Sequence, residues 1–246
     1  MAATHTFRVL VIDDDQVMTE LLAALLGAEG HDVVTVDSGE NALALLRGHA
    51  FDVVLTDLQL PGLRGHSLAA ALRSALATAS SSARLLGMSG SQPSSHELSA
   101  FDAFLLKPFS AEQFATAAAG ASTVQSSRPL ALGPRPSVLD EAVVAQLAKQ
   151  LPAAKLKELF ELMLSDARMR LDLIQKALST GDLDTVRREA HAIKGAAGMV
   201  GASELHQLSA QAEKAASAGS TADTPPLADF YAACIRLERM LDSRFS

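Results

Sequence analysis

The stretch Phe51-Asp-Val-Val-Leu-Thr-Asp57-Leu-Gln-Leu-Pro61-Gly62 limits the fold more than any other. An apolar run (Val53, Val54, Leu55) ends abruptly on an aspartate, and a Pro-Gly turn follows at once. A short apolar run bounded by a turn reads as a strand buried on both faces, as in parallel sheets covered by helices. An aspartate at the carboxyl end of such a strand stands where open α/β sheets place their sites.

The surrounding chain repeats that pattern. Phe7–Ile12 is nearly all apolar, and His31–Val36, Arg84–Met88 and Phe101–Leu106 are further strand candidates. Between them lie helical spacings. Gln16–Ala28 carries Val17, Met18, Leu21, Leu22, Leu25 and Leu26, Ser38 reads as an N-cap for Glu40–Arg47, and Gly65–Leu76 is rich in Ala and Leu. Ala79–Ala83 reads as a small-residue loop, and Ser110 caps a last helix to about Gly120. Strand–helix alternation without hairpin signals predicts a five-stranded, parallel, doubly wound sheet. Right-handed crossovers then bring all the strand ends to one rim.

Asp13 and Asp14, Asp57, Ser89 and Lys107 each lie just past a strand end. Singly, each has a plain reading: acids after a strand cap the next helix, as Asp15 is expected to do, Ser89 is a loop serine and Lys107 a solvated cation. Together they suit phosphoryl transfer onto a carboxylate. Crowded carboxylates invite a hard cation, and Mg²⁺ takes one or two of them, keeps waters and accepts phosphate oxygens. Lys107 would give a point charge to a phosphoryl oxygen and Ser89 a hydrogen bond.

The totals narrow the classes of function. A net charge of −7 and the lack of a dense Lys/Arg stripe argue against nucleic-acid binding. One cysteine, Cys234, excludes an internal disulfide. No signal pattern opens the chain and no apolar run is long enough to cross a bilayer, so the expectation is a cytoplasmic protein without membrane contact.

Residues 121–137 are Ser/Pro-rich and without period, the signature of a linker. Beyond it strand signals cease. Val138–Gln150 reads as a short helix, Ala153–Ser179 as a long one, and helices to about Val200, over Ala202–Ala218 and from Pro225-Pro226 to about Asp242 follow, which predicts a four-helix antiparallel bundle with a short leading helix. The informative stretch is Arg187-Arg-Glu-Ala-His191-Ala-Ile-Lys194-Gly195-Ala-Ala-Gly198-Met-Val-Gly201-Ala202. At about 100° per residue, Arg187, Arg188, Lys194, Gly195 and Gly198 share the face of His191, whereas Val186, Ala190, Ile193, Ala197 and Val200 share another. His191 is therefore expected to point outward, among cations. Two glycines inside a helix cost about 1 kcal/mol each against alanine, which a partner's close approach would justify. His5, His31, His49, His66, His96 and His206 lack such surroundings and read as surface or loop residues.

Residues 6–120 resemble a two-component receiver domain. The matching pieces are Val11-Ile-Asp-Asp14, Thr56-Asp57-Leu-Gln-Leu-Pro61-Gly62-Leu-Arg-Gly65, Met88-Ser89-Gly90 and Phe104-Leu-Leu-Lys107-Pro108-Phe109. The resemblance implies that Asp57 is the phosphoacceptor, that Asp14 ligates Mg²⁺ directly and Asp13 largely through water, and that the Gln59 carbonyl is a further ligand. It makes Ser89 and Phe104 the switch positions and the Lys107–Pro108 bond cis. Phe104 lacks the phenol oxygen of the family's commoner tyrosine. The connection from Ser89 to Lys107 is shorter than usual, which leaves room for only a short fourth helix. Residues 138–246 resemble a histidine-containing phosphotransfer (HPt) domain through Gly181-Asp182, His191, Lys194-Gly195 and Gly201-Ala202. That resemblance implies phosphorylation of a His191 ring nitrogen, usually Nε2, with Lys194 as electrostatic partner and Gly195 as the point of clearance.

The two resemblances lead to an expected phosphorelay intermediate, not itself an enzyme, because nothing resembles a kinase ATP-binding domain. Its partners would be a sensor or hybrid histidine kinase, other response regulators, or its own two domains in contact. The alternative is a non-relaying interaction module or phosphate sink in which receiver phosphorylation gates access to the HPt domain. A Mg²⁺-dependent hydrolase is disfavoured because Gln59 stands where a second carboxylate would be needed. The first helix carries Val17, Met18, Leu22 and Leu26 beyond what one core stripe needs, which predicts an exposed apolar docking patch.

Overall fold

Short apolar runs become strands here because helices cover both sides of them. In the computed structural model, which describes residues 6–62, 65–78, 82–90, 93, 99–120 and 137–245, the first half contains β1 (Arg8–Ile12), β2 (Asp32–Val36), β3 (Val53–Asp57), β4 (Arg84–Ser89) and β5 (Ala103–Leu106). All pairings are parallel and the order is β2-β1-β3-β4-β5. The helices are α1 (Gln16–Ala28), α2 (Gly39–Leu46), α3 (Gly65–Thr78) and α4 (Ala111–Ala118). β3 is buried throughout, as its unbroken apolar run requires. On one face Leu10, Ile12, Val54, Leu85 and Phe104 join Leu68, Leu72 and Leu76 of α3 in a single core. By strand alternation Val9, Val11 and Leu55 belong to the other face, and all three are buried.

Expected caps start three of these helices: Asp15 accepts from the Met18 N–H, Ser38 from Asn41, and Ser110 from Gln113 in a full capping box. The apolar residues of α1 sweep about half its circumference at 100° per residue. All six are buried, Val17, Met18, Leu22 and Leu26 included. The exposed apolar patch expected on this helix is therefore not present. The expected loop at 79–83 lies largely outside the described residues, as do most of the β4–β5 connection, where a short fourth helix is expected, and the linker up to residue 136.

The chain divides into two compact units, Met1–Arg128 and Pro129–Ser246. The second contains α5 (Glu141–Gln150), α6 (Ala153–Thr180), α7 (Leu183–Val200), α8 (Ser203–Ser217) and α9 (Leu227–Arg244). Helices α6 to α9 form the bundle, α7 packing on α6 and α8, and α9 on α6 and α8. Leu156, Phe160, Met163, Leu171, Ile174, Val186, Ile193, Leu205, Phe230 and Leu237 supply its buried interior. Gly201 closes α7 at φ 81°, in the left-handed region. A Cβ there would stand 3.0 Å from Cβ of Val143, and the Asp140 N–H donates to the Gly201 carbonyl at 2.7 Å. The glycine thus lets the leading helix α5 seat against the α7–α8 turn. Among the described residues no helix is long and apolar enough to cross a membrane.

Candidate functional site

The parallel register delivers the expected side chains to one rim. Asp57 ends β3 opposite Met88, and Ser89 ends β4 opposite Leu106, one residue before Lys107. Asp13 follows β1, the other neighbour of β3. Asp13, Asp57, Ser89 and Lys107 are all buried, whereas Asp14 is exposed. Lys107 Nζ donates to Asp13 Oδ2 at 2.8 Å and to Asp57 Oδ2 at 2.6 Å. The Gln59 N–H donates to Asp57 Oδ1 at 2.8 Å, and the Asp15 N–H to Asp13 Oδ1 at 2.9 Å. The Lys107–Pro108 peptide is cis.

The charges in this pocket are strongly coupled. The Asp13 carboxyl is pushed up to about 7: burial raises it most, Lys107 pulls against that, and Asp57 and Asp15 add to the rise. Burial works against the Lys107 ammonium too, but Asp13 and Asp57 overcome it and hold the ammonium protonated well beyond its ordinary range. One ammonium thus serves two buried carboxylates. Among the described residues, no three His, Cys, Asp or Glu side chains form a ready metal cage. Mg²⁺ does not require one, since it keeps waters and takes only one or two carboxylates. The donor set at this rim (two buried carboxylates sharing one ammonium, an exposed Asp14 and the Gln59 carbonyl) fits such a cation.

In the bundle, Asp182 caps α7 by accepting from the Thr185 N–H, and α7 carries His191, Lys194 and Gly195. His191 does not point outward as the helical wheel suggested. Its residue is 8% exposed, and from Glu189 to Val200 only Ala192 is less than fully buried. The reason lies on α8. Glu213 Oε1 accepts from His191 Nδ1 at 2.7 Å, and Glu213 Oε2 accepts from Lys194 Nζ at 2.5 Å. Burial alone would raise the Glu213 carboxyl, but the hydrogen bonds and charges of His191 and Lys194 hold it down at about 2.

An ionised carboxylate only accepts, so Nδ1 is the donor of this bond and Nε2 is the ring nitrogen left for chemistry. The expected cationic ring is also differently engaged. Arg188 Nε donates to Glu189 Oε1 at 3.0 Å, and Arg187 lies 4.0 Å from Asp184. Glu189 is buried and takes a second bond from Arg170 on α6 at 3.0 Å. His206, read as a surface residue, is half-buried, with its Nδ1 2.9 Å from the Lys194 carbonyl.

Glu213 was not singled out from the sequence. On the α8 wheel it stands within about 20° of His206, at the border of the arc carrying Leu205, Ser209, Ala212 and Ala216. A polar residue at the edge of an apolar stripe is common, so the only signal was a weak one.

Comparison with known proteins finds two families along the chain. Residues 9–119 match the response regulator receiver domain family, and residues 158–244 match the Hpt domain family. The chain is 31% identical over 227 residues to the virulence sensor protein BvgS of Bordetella bronchiseptica, a match covering 86% of this chain and 18% of that protein. It therefore spans less than a fifth of that relative's length. The transcriptional regulatory protein TcrA of Mycobacterium tuberculosis is 46% identical over 66 residues, covering 27% of this chain and 26% of that one. Among solved structures, the response regulator TrrA of Thermotoga maritima in complex with Mg(2+)-BeF is 28% identical, with a TM-score of 0.39 over 44% of this chain and 91% of that chain.

Proposed function

Because the chain joins a response regulator receiver domain to an Hpt domain, we propose that it works as a phosphorelay protein, with Asp57 and His191 as its two phosphoryl stations. One observation carries this reading: each half brings a nucleophile and its supporting groups together at hydrogen-bond distance. Partners of stated chemistry follow: a histidine kinase or an HPt domain as donor to Asp57, and a response regulator receiver as exchange partner of His191.

At the receiver rim, the Gln59 N–H and Lys107 hold the Asp57 carboxylate in place. An Asp57 oxygen attacks the phosphorus, the bond from phosphorus to the donor's nitrogen or oxygen breaks, and the leaving group keeps that bond's electron pair. Lys107, already bonded to Asp57, would neutralise a phosphoryl oxygen, and the Ser89 hydroxyl would donate to another. Asp14 directly, Asp13 through water and the Gln59 carbonyl would hold Mg²⁺. Bound there, the ion would supply positive charge to the phosphoryl oxygens and to the Asp57 carboxylate.

At the bundle, Glu213 is the positioning residue. By accepting from Nδ1 it presents Nε2 as the nucleophile and compensates the positive charge that the ring acquires when Nε2 bonds to phosphorus. Lys194 is the cation beside it. Gly195, next to Lys194 on α7 and buried, adds no side chain of its own beside that cation.

The test is phosphorylation of the full chain with radiolabelled acetyl phosphate and Mg²⁺. Base-labile label on Asp57 is expected, and base-stable phosphohistidine on His191 is expected to follow it. Asp57→Asn should remove the first and His191→Gln only the second. Label on the wild-type chain that survives Asp57→Asn undiminished would overturn the assignment.

A further inference from the structure

Phe104 is held inward by an absence. Gly87 and Phe104 are direct partners in the β4–β5 register. A Cβ built on Gly87 would stand 2.9 Å from Cδ2 and 3.1 Å from Cε2 of Phe104, and 3.2 Å from Cδ2 of Phe101. Such separations lie inside van der Waals contact. The Phe104 ring cannot simply slide aside. It is 5% exposed, and it shares one buried cluster with Phe101, Leu58, Leu60, Leu68 and Leu85.

Two members of that cluster, Leu58 and Leu60, flank Gln59, whose N–H holds the Asp57 carboxylate at 2.8 Å. The seat at Gly87 is thereby linked through packed side chains to the loop that positions the acceptor. Glycine also weakens a strand interior, and in a strand it marks a place where something approaches the backbone closely. Here the approaching group is an aromatic ring without a polar atom. Packing alone can fix it.

We infer that Gly87 is a positioning residue of the Asp57 site: its missing side chain seats Phe104, and Phe104 in turn braces Leu58 and Leu60 so that Gln59 holds the acceptor carboxylate. This rests on the reading of Asp57 as phosphoryl acceptor. Adding one methyl at residue 87 expels the ring, loosens the loop and weakens binding of a phosphoryl mimic, although residue 87 touches neither the mimic nor Asp57.

The test is a double-mutant cycle in the full chain, with Gly87→Ala made in the wild-type and the Phe104→Leu backgrounds. The probe is beryllofluoride with Mg²⁺, followed by ¹⁹F NMR of the bound fluoride. In the wild-type background Gly87→Ala should weaken binding about tenfold, a typical overpacking effect. In the Phe104→Leu background, where a flexible side chain replaces the rigid ring and can give way, the same change should cost less than about threefold. Equal losses in the two backgrounds, or no loss in either, would overturn the inference.

Hydrogen exchange at the Gln59 amide gives a second readout that needs no ligand. Exchange should speed up in Gly87→Ala and return towards the Phe104→Leu level in the double variant. If the wild-type chain took up no beryllofluoride, the Asp57 reading would fail, and the Gln59 amide would still decide for or against the seat. Should Gly87→Ala fail to fold, the comparison of Phe104→Leu with the double variant stands alone. Near-equal amide exchange there supports the seat, and marked loosening in the double variant contradicts it.

Discussion

The two proposed nucleophiles, Asp57 and His191, are held by the same kinds of group in opposite roles. At the receiver rim the nucleophile is a carboxylate, and a buried lysine holds it: Lys107 reaches Asp57 and Asp13 at once. In the bundle the nucleophile is an imidazole and the holding group is a carboxylate: Glu213 reaches His191 and Lys194 at once. Among the described residues the rim sets one ammonium between two buried carboxylates, which suits a further cation and an incoming phosphoryl group. In the bundle, one carboxylate faces two nitrogen bases. Two carboxylates sharing one ammonium suit a metal, whereas a compensated pair orients a ring. Each site is therefore to be perturbed through its holding group as well as through its nucleophile.

The largest effects separate the two nucleophiles. Asp57→Asn should abolish uptake from acetyl phosphate. His191→Gln should leave that uptake intact and abolish phosphohistidine, as read by the acid and base stability of the label. Next comes Lys107→Ala. It leaves Asp13 and Asp57 buried without their ammonium, a loss of about 3–5 kcal/mol for a broken buried pair. Chemical denaturation should show that loss in the absence of Mg²⁺, and a larger gain from added Mg²⁺ than in the wild type. A gain equal to the wild type's would contradict the charge balance claimed for the rim.

Glu213→Gln is gentler because an amide oxygen can still accept from Nδ1. Loss of a hydrogen bond to a charged group predicts transfer to or from His191 slowed about ten- to a hundredfold. Rapid-quench transfer kinetics would measure it, and uptake at Asp57 should not change.

The smallest effect is on stability against pH. The Glu213 carboxyl is held at about 2, below its ordinary 4.5. A depressed carboxyl contributes stability that is fully present above its unfolded value and is lost as pH falls through its folded value. The bundle should therefore lose stability between pH 4.5 and about 2. Thermal melts of Glu213→Gln should show a shallower loss across that window.

The sequence exposed the two sites unequally, and for a physical reason. At the rim each residue sits at the end of an apolar strand, and parallel strands share one end, so strand alternation alone brings Asp13, Asp57, Ser89 and Lys107 to one rim. In the bundle the motif on α7 was visible because it is contiguous, but its supporting group comes from α8. Helical periodicity tells which face of α8 turns inward, not which residue of α7 it meets. Hence Glu213 went unnoticed, and His191, on a face that looked polar, was expected outside.

The apolar residues of α1 misled in the other direction. Leu22 and Leu26 exceed a narrow stripe, yet the whole half-circumference is buried. The Gly87 seat was invisible for a further reason: a missing side chain has meaning only once the ring that fills its place is located.

The most direct test mixes two variants of the full chain, one carrying a size tag. The His191→Ala chain is loaded with radiolabel at Asp57, freed of acetyl phosphate, and added to the Asp57→Ala chain with Mg²⁺. Base-stable label is predicted on the Asp57→Ala chain, lost when its His191 is also replaced. Label that leaves the first chain only as inorganic phosphate, never reaching His191, would contradict the exchange between the two stations.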